Sequence, residues 1–169
     1  MPRRGDAGVD PSHSGDPRPP RARDALGRPL PVGVAGVDGP RADPGRSPAE
    51  ALAEAQAWLD ARRPFAAHEV LEDAWRAAPT DERDLWQGLA QLAVGLTHAM
   101  RGNPRGAVAL LERGSRHLTR YQSTPPHGVD VTGLQRWAGT LLEQVRGLPQ
   151  GHVPPEAPVP TLASGFPTA

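Results

Sequence analysis

The sequence predicts an all-α protein, an up-and-down bundle of about five helices between two disordered tails. Apolar residues recur at spacings of three and four through residues 47–147, the pattern of helices with one buried face, and no segment alternates as a strand does. Proline and glycine concentrate instead at the two ends of the chain. We therefore expect a disordered Pro/Gly/Arg-rich arm at 1–46, a helical domain at 47–147 and a disordered Pro-rich tail at 148–169.

Capping residues place the helix boundaries. Ser47 is an N-cap with proline at the first helical position and Glu50 three residues on, a capping box. Thr80, Asn103 and Asp130 are the expected N-caps of the third, fourth and fifth helices. Short connections between consecutive helices favour antiparallel neighbours. The predicted ranges of the five helices are 48–62, 65–78, 81–101, 104–121 and 131–146.

Composition excludes several classes of function. The chain has no Cys, so disulfides, thiolate metal sites and thiol nucleophiles are excluded. The longest charge-free stretch, 85–100, is shorter than the roughly 20 residues of a bilayer span, and no apolar secretory segment follows the first residues. We expect a cytoplasmic protein with no membrane partner. The formal net charge is zero, and nucleic acid is not the expected partner, because the arginines of the arm and of the fourth helix lack aromatic companions.

The second helix contains the densest polar cluster. His68 and Glu72 are four residues apart and therefore neighbours on a helix, and they fall within its apolar stripe, with Glu69 at the edge of that stripe. On the third helix, Gln91 and His98 share one face. If these two faces meet, the polar side chains converge between the helices. The candidate ligand-binding residues around that point are Trp75, Trp86, Gln87 and Gln91.

The cluster allows two interpretations. In the first it is structural, a polar network in which His68 bonds to Glu72 and to a glutamine or tryptophan of the next helix. In the second it is an active site of a hydrolase-like enzyme dependent on a metal or a small ligand. Its candidate catalytic residues are His68, Glu69, Glu72 and His98. His68, Glu72 and His98 would hold a divalent metal, and Glu69 would serve as base. The spacing misses the zincin pattern, because Glu72 stands where the second His belongs, and no cofactor is predicted.

Three motifs together resemble a known family. The sequence FAAHEVLEDAW at 65–75, WQGLAQLAV at 86–94, and His98 followed by RGNPRGA at 101–107 are similar to the Domain of Unknown Function 309 family, over about residues 49–121. Segment 23–30, the stretch 127–130 and the fifth helix resemble longer, actinobacterial-type members. The resemblance implies an all-helical bundle and supplies no reaction. Its signature positions map onto Phe65, His68, Glu69, Glu72, Trp75, Gln91, His98, Gly102 and Asn103.

From these observations we expect a small helical protein that works without catalysis, as a binding or oligomerising module. Its partner would be another protein or a second copy of the chain. Segment 23–30 pairs leucine with arginine and could dock, but we interpret it as a solvated linker.

Overall fold

The computed structural model describes residues 21–154 and 156–165, and in these ranges it confirms the all-α prediction. Two isolated β-bridges are the closest approach to a sheet in this part of the chain. No described helix has the length and apolar character needed to cross a membrane. The five helices, in chain order, are α1 (Pro48–Asp60), α2 (Pro64–Ala77), α3 (Arg83–Met100), α4 (Pro104–Leu118) and α5 (Val131–Arg146).

The capping residues act as the sequence predicts at three of the four expected positions. Ser47 and Glu50 form both hydrogen bonds of the capping box of α1. The side chain of Asn103 accepts from the amide of Gly106 at 3.1 Å, and that of Asp130 accepts from the amide of Gly133 at 2.9 Å. These bonds satisfy amides that the first turn of a helix would otherwise leave unpaired.

Helix α3 starts later than predicted. Thr80 is not its N-cap; Glu82 holds that position without a side-chain capping bond. The backbone at 79–82 forms a turn instead, closed by the Glu82 amide on the carbonyl of Pro79 at 3.0 Å. The Glu82 carboxylate bonds to Trp86 and His127, so tertiary contacts rather than local capping fix this end of the helix.

Consecutive helices pack on each other along the chain, and the most extensive contact is between α3 and α4. Glycines make it possible. A Cβ at Gly114 would lie 2.8 Å from the carbonyl oxygen of Gly88, and a Cβ at Gly95 would lie 2.8 Å from Leu111. Because α3 lies between α2 and α4, more than one face of it is buried. One face holds Leu85, Leu89, Leu92 and Leu96, and an adjoining face holds Trp86, Ala90, Ala93 and Thr97.

Part of the predicted N-terminal arm packs on the helices. Residues 1–20 lie outside the described residues, but a turn at 23–29 lies against Phe65, and Arg63 donates to the carbonyl of Asp38. The solvated-linker interpretation of segment 23–30 is therefore wrong. Composition could not reveal this docking, because it depends on a ring and two arginines contributed by the distant ends of α2 and α3.

The predicted C-terminal tail also contributes to the core. Leu162 and Ala163 are buried, although the surrounding sequence is rich in proline. Gln56 of α1 accepts from the Leu162 amide at 2.8 Å and donates to the Pro160 carbonyl at 3.1 Å. Trp137 of α5 donates to the Pro158 carbonyl at 2.8 Å. This extended segment therefore connects the first and last helices, a contact that helical periodicity cannot predict.

Candidate functional site

The predicted neighbours on α2 lie together and form a short ion-pair chain. Nε2 of His68 is 3.3 Å from Oε2 of Glu72, and Oε1 of Glu72 is 2.7 Å from a guanidinium nitrogen of Arg76. The side chains of His68 and Glu72 are 21% and 31% exposed, so both are half-buried rather than enclosed. Both carboxylate oxygens of Glu72 are thus engaged by residues of its own helix.

The chain of charges continues toward α1. Arg76 also pairs with Asp73 at 3.1 Å, and Asp73 lies 4.0 Å from Arg46. Arg46 in turn binds Glu54 of α1 at 2.9 Å, and its side chain is only 8% exposed. We call the series Glu72, Arg76, Asp73, Arg46 and Glu54 the α1–α2 ion-pair chain, and His68 contacts its first member. The chain connects the polar face of α2 to α1, a contact that helical spacing does not predict.

The electrostatics of His68 favour a neutral ring. Burial lowers the pKa of His68 below its ordinary value; the Glu72 carboxylate opposes this, and the charge of Arg76 acts in the same direction as burial. Phe65 lies beside the imidazole, with ring centroids 5.5 Å apart. The Nδ1 atom is buried and has no hydrogen-bond partner among the described residues. The predicted bond from His68 to a glutamine or tryptophan of α3 is therefore not observed.

His98 lies in a different setting, at the turn between α3 and α4. Asn103 donates its side-chain amide to Nδ1 of His98 at 2.9 Å, while its carbonyl oxygen caps α4. Burial, together with the charge of Arg101, lowers the pKa of His98. Among the described residues no three His, Asp or Glu side chains form a group that could hold a metal ion. His68, Glu72 and His98 therefore do not form such a metal-holding group in the described part of the chain.

Glu69 faces the arm rather than α3. It lines a cavity of about 300 Å³ between α2 and the arm, together with Arg23, Arg63 and Phe65. The backbone of the arm passes close by, since a Cβ at Gly39 would lie 3.5 Å from the Glu69 carboxylate. Burial raises the pKa of Glu69, and the charge of Arg23 opposes that rise. Glu69 is therefore separated from the His68–Glu72 pair in environment, although it is adjacent to His68 in sequence.

The candidate ligand-binding residues differ in burial and in their contacts. Trp86 is buried and donates to Glu82 at 3.3 Å, whereas Trp75 is half-buried under the guanidinium of Arg83, 5.5 Å from its ring. Gln87 is half-buried. The side-chain oxygen of Gln91 is buried and has no partner in the described part of the chain.

A second polar group was missed by the sequence analysis. His127, in the loop before α5, has a positive φ of 56° and lies 2.7 Å from the Glu82 carboxylate. Its ring centroid is 5.9 Å from that of Trp86. Although burial disfavours the charged form, hydrogen bonds from His127 and Trp86 lower the pKa of Glu82. A histidine 45 residues from its partner offers no spacing signal, so only the fold could reveal this group.

Part of the chain matches the model of a known protein family. The family model of the Domain of unknown function (DUF309) matches residues 52–110. The predicted resemblance to DUF309 is confirmed. The matched segment contains all of α2 and α3, and with them His68, Glu69, Glu72, Gln91 and His98. The resemblance to longer, actinobacterial-type members stays a prediction.

A curated protein is also similar to part of the chain. The chain is 34% identical over 83 residues to the "Uncharacterized protein YpuF" of Bacillus subtilis (strain 168). That alignment covers 48% of this chain and 48% of the relative, so the chain spans about half the length of the curated protein it matches. No solved structure matches the chain. One member of the α1–α2 ion-pair chain, Arg46, precedes residue 52 and therefore lies outside the segment that matches DUF309.

Proposed function

We propose that this protein is a non-catalytic binding module of the cytoplasm, and that the His68–Glu72 cluster within its DUF309 segment is structural. The observation that carries the proposal is the engagement of Glu72. One carboxylate oxygen pairs with His68 and the other with Arg76. A metal ligand or an acid–base catalyst directs an oxygen at the metal or the substrate, whereas each oxygen of Glu72 has a partner on its own helix, which supports a structural role.

The continuation of the ion-pair chain supports a structural role for the cluster. Arg46 connects Asp73 on α2 with Glu54 on α1 from a nearly buried position. A largely desolvated arginine held between two carboxylates fixes how two elements pack, because its planar guanidinium accepts only certain partner positions. The polar face of α2 thus serves the contact with α1.

A binding role is supported at another place on the same domain. The ends of α2 and α3 hold the turn of the arm at 23–29 through the Phe65 ring and a hydrogen bond from the Arg101 side chain to the carbonyl of Leu26. These are the contacts by which proteins hold short segments of other chains. The expected partner is accordingly another protein or a second copy of the chain.

Metal analysis tests the structural role of the cluster. Protein purified without a histidine tag should retain no stoichiometric divalent metal, and Glu72→Ala should lower the free energy of unfolding by about 1 kcal/mol, as for partly exposed ion pairs. Glu143→Ala on the exposed side of α5 is the matched control and should have almost no effect. One metal ion per chain, lost in His68→Ala, would instead support the hydrolase-like alternative that uses His68, Glu69, Glu72 and His98.

A further inference from the structure

The arm lies on one end of the helical domain as a compact turn. Gly27 is buried against the face of the Phe65 ring, and a Cβ at this position would overlap the ring. The guanidinium carbon of Arg23 lies 5.4 Å from the centroid of the same ring, within the range of a cation–π contact. Phe65, an aromatic residue of the DUF309 segment, is thus covered by a glycine and an arginine of the arm.

Hydrogen bonds also hold the turn of the arm against the end of α3. Arg101, at the end of α3, donates to the carbonyl of Leu26, and its own carbonyl accepts from Arg28 at 3.4 Å. The guanidinium carbon of Arg101 also lies 5.7 Å from the centroid of Phe65. We call Phe65 and Arg101 the turn-binding surface. It recognises a main-chain carbonyl and a residue without a side chain, which are features that a peptide of another protein can also present.

The turn is organised by its own residues. The carboxylate of Asp24 accepts from the amides of Leu26 at 3.0 Å and Arg28 at 2.8 Å, an arrangement that stabilises turns. Arg23 donates to the carbonyl of Gly27 at 2.7 Å, and Gly27 has a φ of 76°, which favours glycine. A segment that folds locally into the bound shape loses little conformational entropy on docking, so it can act as a separate ligand.

Only one side of the contact between the arm and the helices lies in the segment that matches DUF309. Phe65 and Arg101 lie within residues 52–110, which match DUF309, whereas the turn at 23–29 lies before them. The docked arm also leaves three of its own valines exposed: Val32, Val34 and Val37, at 93%, 47% and 50%. Docking therefore leaves these three apolar side chains exposed, so their burial does not oppose release of the arm.

We propose that the turn-binding surface is a peptide-binding site that the arm occupies in cis. Its partner is a protein segment with the chemistry of the turn: an arginine, an aspartate that closes the turn, and a glycine of positive φ four residues after the arginine. Binding such a partner requires release of the arm, so the arm is autoinhibitory. The inference rests on the proposed binding function and names the site and the partner that serve it.

Competition between the arm and a free peptide tests the inference. The probe is a fluorescently labelled synthetic peptide of residues 21–38, titrated with the full-length chain and followed by anisotropy. In the wild type, the tethered arm competes at an effective concentration on the order of 1 mM. Gly27→Val should displace the arm, because its side chain overlaps Phe65, and should increase the affinity for the peptide at least about tenfold.

Matched variants isolate the cause. Gly33→Val is the control, since Gly33 also has a positive φ, of 89°, but has open space around it; it should bind the peptide as the wild type does. Arg23→Ala removes the ring contact without backbone strain and should increase peptide affinity less than Gly27→Val. Adding Phe65→Ala to Gly27→Val should abolish binding of the peptide.

Two results would overturn the inference. One is a Gly27→Val chain that binds the peptide no more tightly than the wild type and Gly33→Val. The other is peptide binding that survives Phe65→Ala. Neither result bears on metal content or on the stability loss in Glu72→Ala, so the failure of this inference is distinguishable from failure of the proposed function.

Discussion

Two opposing effects act on the pKa of His68, and one of them can be removed by substitution. Burial lowers the pKa of the imidazole, while the Glu72 carboxylate raises it. Glu72→Gln should therefore lower the pKa of His68 further, which NMR titration of its ring protons measures directly. Glu69→Gln is the matched control, because Glu69 is directed toward the arm and should leave that pKa unchanged. If the His68 pKa were the same in Glu72→Gln and the wild type, the pairing at 3.3 Å would be refuted.

The lowered pKa values of two histidines make the free energy of unfolding depend on pH. His68 and His98 both have a pKa lowered from 6.5 in the folded chain, so the unfolded chain binds more protons over the interval below that value. The free energy of unfolding should be highest above pH 6.5 and should fall as the pH drops toward the lowered pKa values. Urea denaturation between pH 8 and about pH 5 measures this. His68→Gln with His98→Gln should reduce the slope; an unchanged slope would assign it to other groups.

The sequence could predict contacts that helix geometry alone determines. His68 and Glu72 are neighbours on any helix, so their pairing follows from spacing. The position of His98 does not follow in that way. Its ring is engaged by Asn103, a residue beyond the helix end whose direction depends on the turn between α3 and α4. The described residues contain no metal-holding group of His68, Glu72 and His98, and the convergence of His68 with His98 stays a prediction, since a shared helix face does not specify which neighbour a side chain contacts.

At the scale of elements, the contact between α3 and α4 depends on the absence of side chains. A Cβ at Gly114 would lie 2.8 Å from the backbone oxygen of Gly88, a group that cannot move aside without shifting the helix. Gly114→Ala should therefore destabilise the protein by about 1–3 kcal/mol, although alanine is the better helix former. Gly139→Ala on α5 is the control: nothing lies within 4 Å of its Cβ, so it should stabilise by about 0.5–1 kcal/mol.

Denaturant titration of Gly114→Ala and Gly139→Ala measures both changes in the free energy of unfolding. Equal stabilisation by the two substitutions would mean that the helices do not approach as closely as described. Helical periodicity places Gly114 on the apolar face of α4, where it is buried. It could not predict that the glycine faces another glycine on α3, because the register of two helices depends on packing rather than on either sequence alone.

At the scale of the whole molecule, helix prediction succeeded where local signals exist and failed where distant segments meet. The capping box at Ser47 marks α1 correctly because both partners lie within four residues. The start of α3 was misplaced because Glu82 is bound by Trp86 and by the distant His127. The arm and the tail carry the composition of disordered segments, yet in parts of both the backbone is hydrogen-bonded by side chains of the helices. Composition reports how much apolar surface a segment has, and hydrogen bonds to its backbone do not require such surface.

The attachment of the C-terminal segment can be tested at a single side chain. Gln56 is 5% exposed and bonds to both Pro160 and Leu162 of that segment. Gln56→Leu keeps the size of the side chain but leaves a buried amide and a buried carbonyl without these partners, so it should cost about 1–3 kcal/mol. Gln144→Leu, on the exposed side of α5, should cost almost nothing.

Hydrogen exchange then separates local from global loosening. In the wild type the Leu162 amide should exchange only through openings that release the segment from α1. In Gln56→Leu it should exchange much faster, while amides in the centre of α3 should exchange faster only by the factor that the loss of global stability dictates. Equal protection of Leu162 in the two proteins would mean that Gln56 does not hold the segment. A loss of protection confined to 156–165 would show that the segment connecting α1 and α5 can detach while the five helices stay packed.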